Sequence, residues 1–256
     1  MSWSASQYVQ FEEDRTRPVR DLLAAIPPVH ATSVVDLGCG PGNSTELLCA
    51  RYPDAKALGL DSSPDMLQAA RRRLPAVTFA EADIAHWTPE QPADIILANA
   101  VLHWVPGHEA LFGRLMSNLS KGGSLAVQMP DNMQEPSQLA MDKTASDPAW
   151  AGKIAAAAGF RAQMDDADGY IRMLRPLATR LDVWRTTYMH ILPGGPAAIV
   201  EWFKGSGLRP FLAALDDAER ERFLGRYQSE IEAAYPVLPD GSVVLRFPRL
   251  FIVATR

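Results

Sequence analysis

The chain has 256 residues, 47% hydrophobic and 21% charged, enough apolar material for one sizeable core or two small ones, which excludes a disordered or fibrous chain. A net charge of -5 supplies no global basic field, so nucleic acid is not an expected partner. The longest apolar runs, such as Ile95 to Ala98 and Leu250 to Ala254, fall far short of the roughly 20 residues of a membrane helix. Met1 to Glu12 has neither the basic start nor the long apolar run of a secretory signal, and a cytoplasmic protein is expected.

The first half repeats one unit, a short apolar run, a turn rich in Gly, Asp or Pro, and a segment of helical periodicity. After a polar N-terminal stretch, Ser33 to Leu37 reads as a strand, followed by a glycine loop and a helix from Asn43 to Arg51. Lys56 to Leu60 is a second strand, and Ser63-Pro64 starts a helix reaching Leu74. Val77 to Ala80, Ala93 to Asn99 and Ser124 to Met129 follow as strands, with a helix from about His108 to Leu119 before the last. Such alternation predicts a parallel sheet covered by helices.

The second half reads as helices from about Ser137 to Ala158, an ambiguous stretch from Gly159 to Leu174, and a strand from Leu181 to Leu192 with β-branched residues at its middle. Helices are expected over Ala197 to Lys204, Pro210 to Leu215 and Asp217 to Tyr235, and a final strand over Leu245 to Thr255. The seven strands fit one open sheet, and no linker marks a second domain. The expectation is a single domain over 1–256 with a cofactor-binding core at 30–130 and Pro130 to Pro136 as a joint.

Two cysteines, Cys39 and Cys49, stand ten residues apart with no further Cys or His at metal-ligand spacing, so neither a disulfide framework nor a metal site is expected. Five of the 25 basic residues are Lys, leaving 20 Arg. Genomic composition accounts for most of that bias, and a few arginines remain available as carboxylate forks.

The chemistry concentrates in Asp36-Leu37-Gly38-Cys39-Gly40-Pro41-Gly42-Asn43, a glycine-rich turn set between a strand and a helix. Glycines let the backbone approach a ligand, and the helix N-terminus offers free N–H groups. Asp61 ends the second strand, where a ribose-binding carboxylate of a nucleotide site belongs, and Asp83 follows the third, within reach of an adenine amino group. The third glycine of the dinucleotide fingerprint is missing, since counting from Gly38 puts Asn43 there. Asp36 at the strand end suits an amino group better than a pyrophosphate. S-adenosylmethionine is therefore favoured over a nicotinamide cofactor.

These motifs and the seven-strand pattern resemble class I S-adenosylmethionine-dependent methyltransferases. The resemblance implies a Rossmann-like α/β fold, a mostly parallel sheet with an antiparallel last strand, and helical segments at 1–29, 131–180 and 193–244 that cover the substrate. Candidate cofactor residues are Asp36, Gly38, Cys39, Gly40, Asn43, Asp61, Ser62, Met66, Asp83, Ile84 and Asn99. Further blocks run from end to end: Phe11 to Pro18, Gln128 to Asn132, Trp184 to Tyr188, Ser206 to Pro210 and Phe247 to Val253. They are similar to those of the bacterial trans-aconitate 2-methyltransferase family. His103 departs from that pattern, standing where the family has Gln.

This second resemblance implies in-line transfer of a methyl group to one carboxylate of trans-aconitate, giving a monomethyl ester. A carboxylate is ionised at neutral pH, so no general base is needed and catalysis reduces to alignment and charge anchoring. No catalytic residue is assigned beyond the positioning candidates His103 and Tyr188. Strand-end topology and the blocks point to Arg17, His103, Trp104, Asn132, Tyr188, Arg209 and Arg249 as acceptor contacts. The expected partner is a small tricarboxylate, and the expected state a monomer or weak homodimer.

Blander roles compete at several positions. The glycine loop can be a tight turn in an inactive domain, Asn99 a polar strand cap, and His103 with Trp104 core packing. His190 reads as a hydrogen-bonded histidine or carboxylate donor, Cys39 as a small packing residue. Arg71-Arg72-Arg73 reads as a solvated helix end, and Asp216 to Arg222 as a charged helix face. Competing functions are methylation of a phenol, a quinone or another carboxylic acid, nicotinamide-dependent redox chemistry, and a non-catalytic cofactor-binding module.

Overall fold

A computed structural model describes residues 12–155 and 164–256, with side chains from residue 16 onward. Seven strands form one sheet: β1 Ser33–Leu37, β2 Lys56–Asp61, β3 Thr78–Glu81, β4 Ala93–Asn99, β5 Leu119–Pro130, β6 Arg180–Leu192 and β7 Val243–Thr255, in the order β3-β2-β1-β4-β5-β7-β6. The pairs β1·β2, β1·β4, β2·β3 and β4·β5 are parallel. β7 runs against β5: the Gly122 N–H donates to the Arg256 carbonyl at 3.0 Å, and at the opposite end the Asp131 N–H donates to the Pro248 carbonyl at 2.9 Å. This is the class I methyltransferase fold.

The helices among the described residues are α1 Glu12–Ala25, α2 Asn43–Arg51, α3 Pro64–Arg73, α4 His108–Ser117, α5 Pro136–Ala145, α6 Ala151–Ile154, α7 Ala167–Leu174, α8 Pro196–Lys204, α9 Arg209–Ala213 and α10 Asp217–Ala234. The stretch expected as helices over Ser137 to Ala158 holds two, α5 and α6, which part at Pro148. Pro148 has no N–H to donate, and Asp147 turns the chain by accepting the Ala149 N–H on its side chain and the Trp150 N–H on its carbonyl. Residues 156–158 of that expectation lie outside the described residues. The ambiguous stretch ends in α7, capped by Asp166, whose carboxylate accepts the Gly169 N–H at 2.8 Å.

By contacts the chain divides into two compact units. The first takes its described residues from 1–130, 162–186 and 250–256, the second from 131–161 and 187–249. The first unit's core joins β1, β4 and β5 through Val35, Ile96 and Val127 to Phe112 and Leu115 of α4, Tyr170 and Leu174 of α7, and Leu250 and Ile252 of β7. β4 is buried along nearly its whole length because helices cover both faces of a parallel sheet, which explains its unbroken apolar run. In the second unit Phe223 of α10 packs against Trp150 and Phe211, with ring centroids 5.5 and 6.2 Å away. The charged segment from Asp216 is more than a solvated face: Asp216 and Glu219 form a reciprocal capping box, and Glu219 is buried against Lys153.

Candidate active site

The glycine turn follows β1 and is fixed by two different demands. Gly38 has φ +66°, and a Cβ there would lie 2.3 Å from Val101 Cγ2, so packing as well as backbone conformation excludes a side chain. Gly40 has φ +53° and no atom within 4 Å of a Cβ position, so its backbone faces open space. The Cys39 N–H donates to the Leu60 carbonyl at 2.9 Å, which ties the turn to β2. Beneath the turn Asp36 is fully buried and accepts hydrogen bonds from the Ser44 hydroxyl at 2.7 Å and the Thr45 hydroxyl at 2.6 Å. Burial pushes its carboxyl up to about 6, against the opposing effect of those hydroxyls. Asp36 thus fastens β1 to α2 and does not line the cleft described next.

Asp61, at the end of β2, bridges two segments. Its Oδ2 accepts the Gly40 N–H at 3.0 Å and its Oδ1 the Ser63 N–H at 2.8 Å. Burial raises its pKa, and the amides of Ser63, Gly40 and Ser62 act in the other direction. Each carboxylate oxygen keeps lone-pair capacity beyond its amide, as a diol would require. Ser63 caps α3, and that helix carries Met66 toward the site.

A cleft of about 280 Å³ opens here, lined by residues that follow the carboxyl ends of β1, β2, β3 and β4, where ligands of open parallel sheets bind. Of the candidate residues, Gly38, Gly40, Asp61, Ser62, Met66, Asp83, Ile84, Asn99 and Trp104 line it. Asp83 is exposed, its carboxyl held below the usual range first by the His86 hydrogen bond at 2.7 Å and then by the Ala85 amide. Asn99 brings a buried Oδ1 with no hydrogen-bond partner among the described residues, an acceptor that a ligand donor would satisfy. A recess of about 30 Å³ shares Gly38, Gly40, Pro41 and Asn99 with the cleft and adds Thr16 and Val19 of α1 together with Cys39, Asn43 and Ser44.

Sequence reasoning missed Pro41, Ala82, Ala100, Val101 and Val105 in the cleft and Thr16, Val19 and Ser44 in the recess as lining residues. Pro41 was within the motif and could have been found. Ala100 gave no signal, because alanine carries no mark of the left-handed backbone it adopts at φ +53°.

The acceptor candidates fall in both units. In the first, Trp104 lines the cleft; His103 is buried beside it, ring centroids 4.7 Å apart, without lining the cleft, and Arg17 is exposed on α1. In the second, Arg249 is buried with its guanidinium 4.6 Å from the Phe247 ring centre. The buried Tyr188 stacks on His190 at 6.3 Å, and His190 meets Trp202 at 4.7 Å. Asn132 is 1% exposed, and neither its Nδ2 nor its Oδ1 has a partner among the described residues. Arg209, at the start of α9, is half-buried, and that burial lowers its pKa. The second unit therefore holds cationic and neutral donors of the kinds that bind carboxylates.

Strand order, glycine turn and strand-end cleft together define a class I methyltransferase, and a methyltransferase-domain family model matches residues 34–123. The YcgJ protein from Bacillus subtilis shares the fold, with a TM-score of 0.60 at 13% identity, covering 94% of this chain and 98% of that one. Relatives in sequence match far more closely. The trans-aconitate 2-methyltransferase of Afipia carboxidovorans is 54% identical over 254 residues, 99% of each chain. That of Methylobacterium nodulans is 53% identical, covering 99% of this chain and 98% of its own. The chain belongs to the trans-aconitate 2-methyltransferase family.

Proposed function

We propose that the protein methylates one carboxylate of trans-aconitate with S-adenosylmethionine, producing the monomethyl ester. The observation that carries this reading is the cleft, whose acidic and amide acceptors suit the donors of an adenosyl cofactor with a free ammonium group. Asp61 is placed to accept from a ribose diol, Asp83 from an adenine amino group, and the unpartnered Asn99 Oδ1 from an ammonium N–H. The open space at Gly40 admits a ligand against the backbone. Bound there, the cofactor supplies an electrophilic methyl group on a sulfonium centre.

The protein's own work is then positional. The acceptor's nucleophile is already ionised, so no side chain has to remove a proton. Arg249, Arg209, Arg17, Asn132 and Tyr188 are assigned to the non-reacting carboxylates, and His103 and Trp104 to alignment at the cleft. We assign His190 no role as a base. The described helices within 131–180 and 193–244 are assigned to cover the acceptor, and the enzyme works in the cytoplasm on a small tricarboxylate, as a monomer or weak homodimer.

Transfer of labelled methyl from S-adenosylmethionine tests this, with trans-aconitate, citrate and a phenol as parallel acceptors. Base-labile label on trans-aconitate is expected. Label on the phenol, or no transfer by protein that still binds S-adenosylhomocysteine, overturns the acceptor assignment.

A further inference from the structure

The wall of the cleft from Val101 to Val105 is a short segment built on one 3-10 turn, Leu102–Trp104. It begins after Ala100, in left-handed backbone, and ends before Gly107, which has φ +73°. Two backbone hydrogen bonds close that turn, Trp104 N–H to the Val101 carbonyl at 3.0 Å and Val105 N–H to the Leu102 carbonyl at 2.9 Å. Yet this segment places Val101 against the glycine turn and carries Trp104 and Val105 into the cleft. The two bonds shape the turn but lie wholly within it, so they do not join it to the helices behind.

We propose that His108 and Tyr170 form a positioning relay that sets this wall and thereby cofactor affinity. His108 Nε2 lies 2.9 Å from the Leu102 carbonyl oxygen, which can only accept, so in the neutral imidazole that nitrogen carries the proton. Nδ1 is then an acceptor, and the Tyr170 hydroxyl, 2.5 Å away, donates to it. The Leu102 carbonyl thus receives two donors, Val105 from within the turn and His108 from α4. Leu102, His108 and Tyr170 are all buried, so water cannot replace either bond. Phe112 holds both rings, with centroids 5.5 Å from His108 and 5.2 Å from Tyr170. Tyr170 belongs to α7, just beyond the point where the chain re-enters the first unit, so the relay makes the cleft wall depend on how that returning helix docks.

Neither residue lines the cleft, and their effect passes through Leu102 to Trp104. The inference rests on the cleft being the S-adenosylmethionine site, and the test separates the two. Dissociation constants for S-adenosylhomocysteine are measured by calorimetry for the wild type, His108→Phe, His108→Gln, Tyr170→Phe and the His108→Phe/Tyr170→Phe double variant, each with its melting temperature. Gln keeps a side-chain N–H for the Leu102 carbonyl; Phe keeps ring volume and removes both hydrogen bonds. His108→Phe is expected to weaken binding about tenfold, with His108→Gln restoring it to within about threefold at a similar melting temperature. The double variant is expected to bind no worse than His108→Phe, because the first change already breaks the relay. Equal affinity in all folded variants, or a Gln variant as weak as the Phe variant, overturns the relay. A wild type that does not bind S-adenosylhomocysteine overturns the cofactor reading instead.

Discussion

Two glycines two residues apart answer to different physics, and substitution should separate them. Gly38→Ala drives a Cβ into Val101 and strains a positive φ, and is expected to cost about 2 kcal/mol of stability as well as cofactor affinity. Gly40→Ala meets no protein atom, so it is expected to fold with a loss of about 1 kcal/mol or less while cofactor affinity falls at least tenfold. Denaturant titration paired with S-adenosylhomocysteine calorimetry checks both, and equal stability losses would contradict the distinction. Asp36 makes a prediction about pH. Its folded carboxyl is held up at about 6 by burial against an ordinary 3.8, so the folded chain retains that proton more tightly than the unfolded one. Stability from this source is full below the ordinary value and is lost as pH rises through the folded one. Relative to Asp36→Asn, the wild type is expected to lose roughly 2 kcal/mol between about pH 4 and pH 7.5. A stability gap between the two proteins that is constant over that window would show that Asp36 does not titrate this way. The sequence marked Asp36 as important but misread its partners: the hydroxyls of Ser44 and Thr45 lie eight and nine residues ahead, and only the fold of α2 brings them under the turn.

At the scale of elements, the βα units were legible because β1 and β4 are buried along most of their length and read as short apolar runs set between turn residues. β1, α2 and β4 have the expected bounds, and Ser63-Pro64 marks the start of α3. Misreadings came where tertiary contacts override local pattern. β5 begins at Leu119, ahead of Gly122-Gly123, because β4 pairs with Leu119 as well as with Ser124 across an irregularity in register. Ala100 closes β4 in left-handed backbone, a conformation that disfavours any side chain. Ala100→Gly should therefore raise stability by up to about 1 kcal/mol, the gain being reduced by glycine's greater freedom in the unfolded chain. A fall in melting temperature would mean that the backbone is unstrained there.

Across the whole molecule, legibility tracked distance in sequence. The cofactor cleft draws mainly on the segments following β1 to β4, and its glycine turn, Asp61 and Asp83 keep short, regular spacings that a reader can count. The acceptor candidates at 17, 103, 104, 132, 188, 209 and 249 share no spacing rule, and only strand-end topology together with end-to-end similarity to one family pointed to them. Membership of that family and the fold are now secure, and no helix among the described residues is long and apolar enough to cross a membrane. The division of labour that we propose gives the adenosyl cofactor to the strand-end cleft and the acceptor's non-reacting carboxylates to Arg17, Asn132, Tyr188, Arg209 and Arg249. Calorimetric titration of Asp61→Asn and Arg249→Gln, each with S-adenosylhomocysteine and then with trans-aconitate on the cofactor-loaded protein, tests that division directly. Asp61→Asn is expected to bind S-adenosylhomocysteine at least tenfold more weakly; Arg249→Gln is expected to bind it as the wild type does while losing at least tenfold in affinity for trans-aconitate. Unchanged trans-aconitate affinity in Arg249→Gln, or unchanged cofactor affinity in Asp61→Asn, would contradict it.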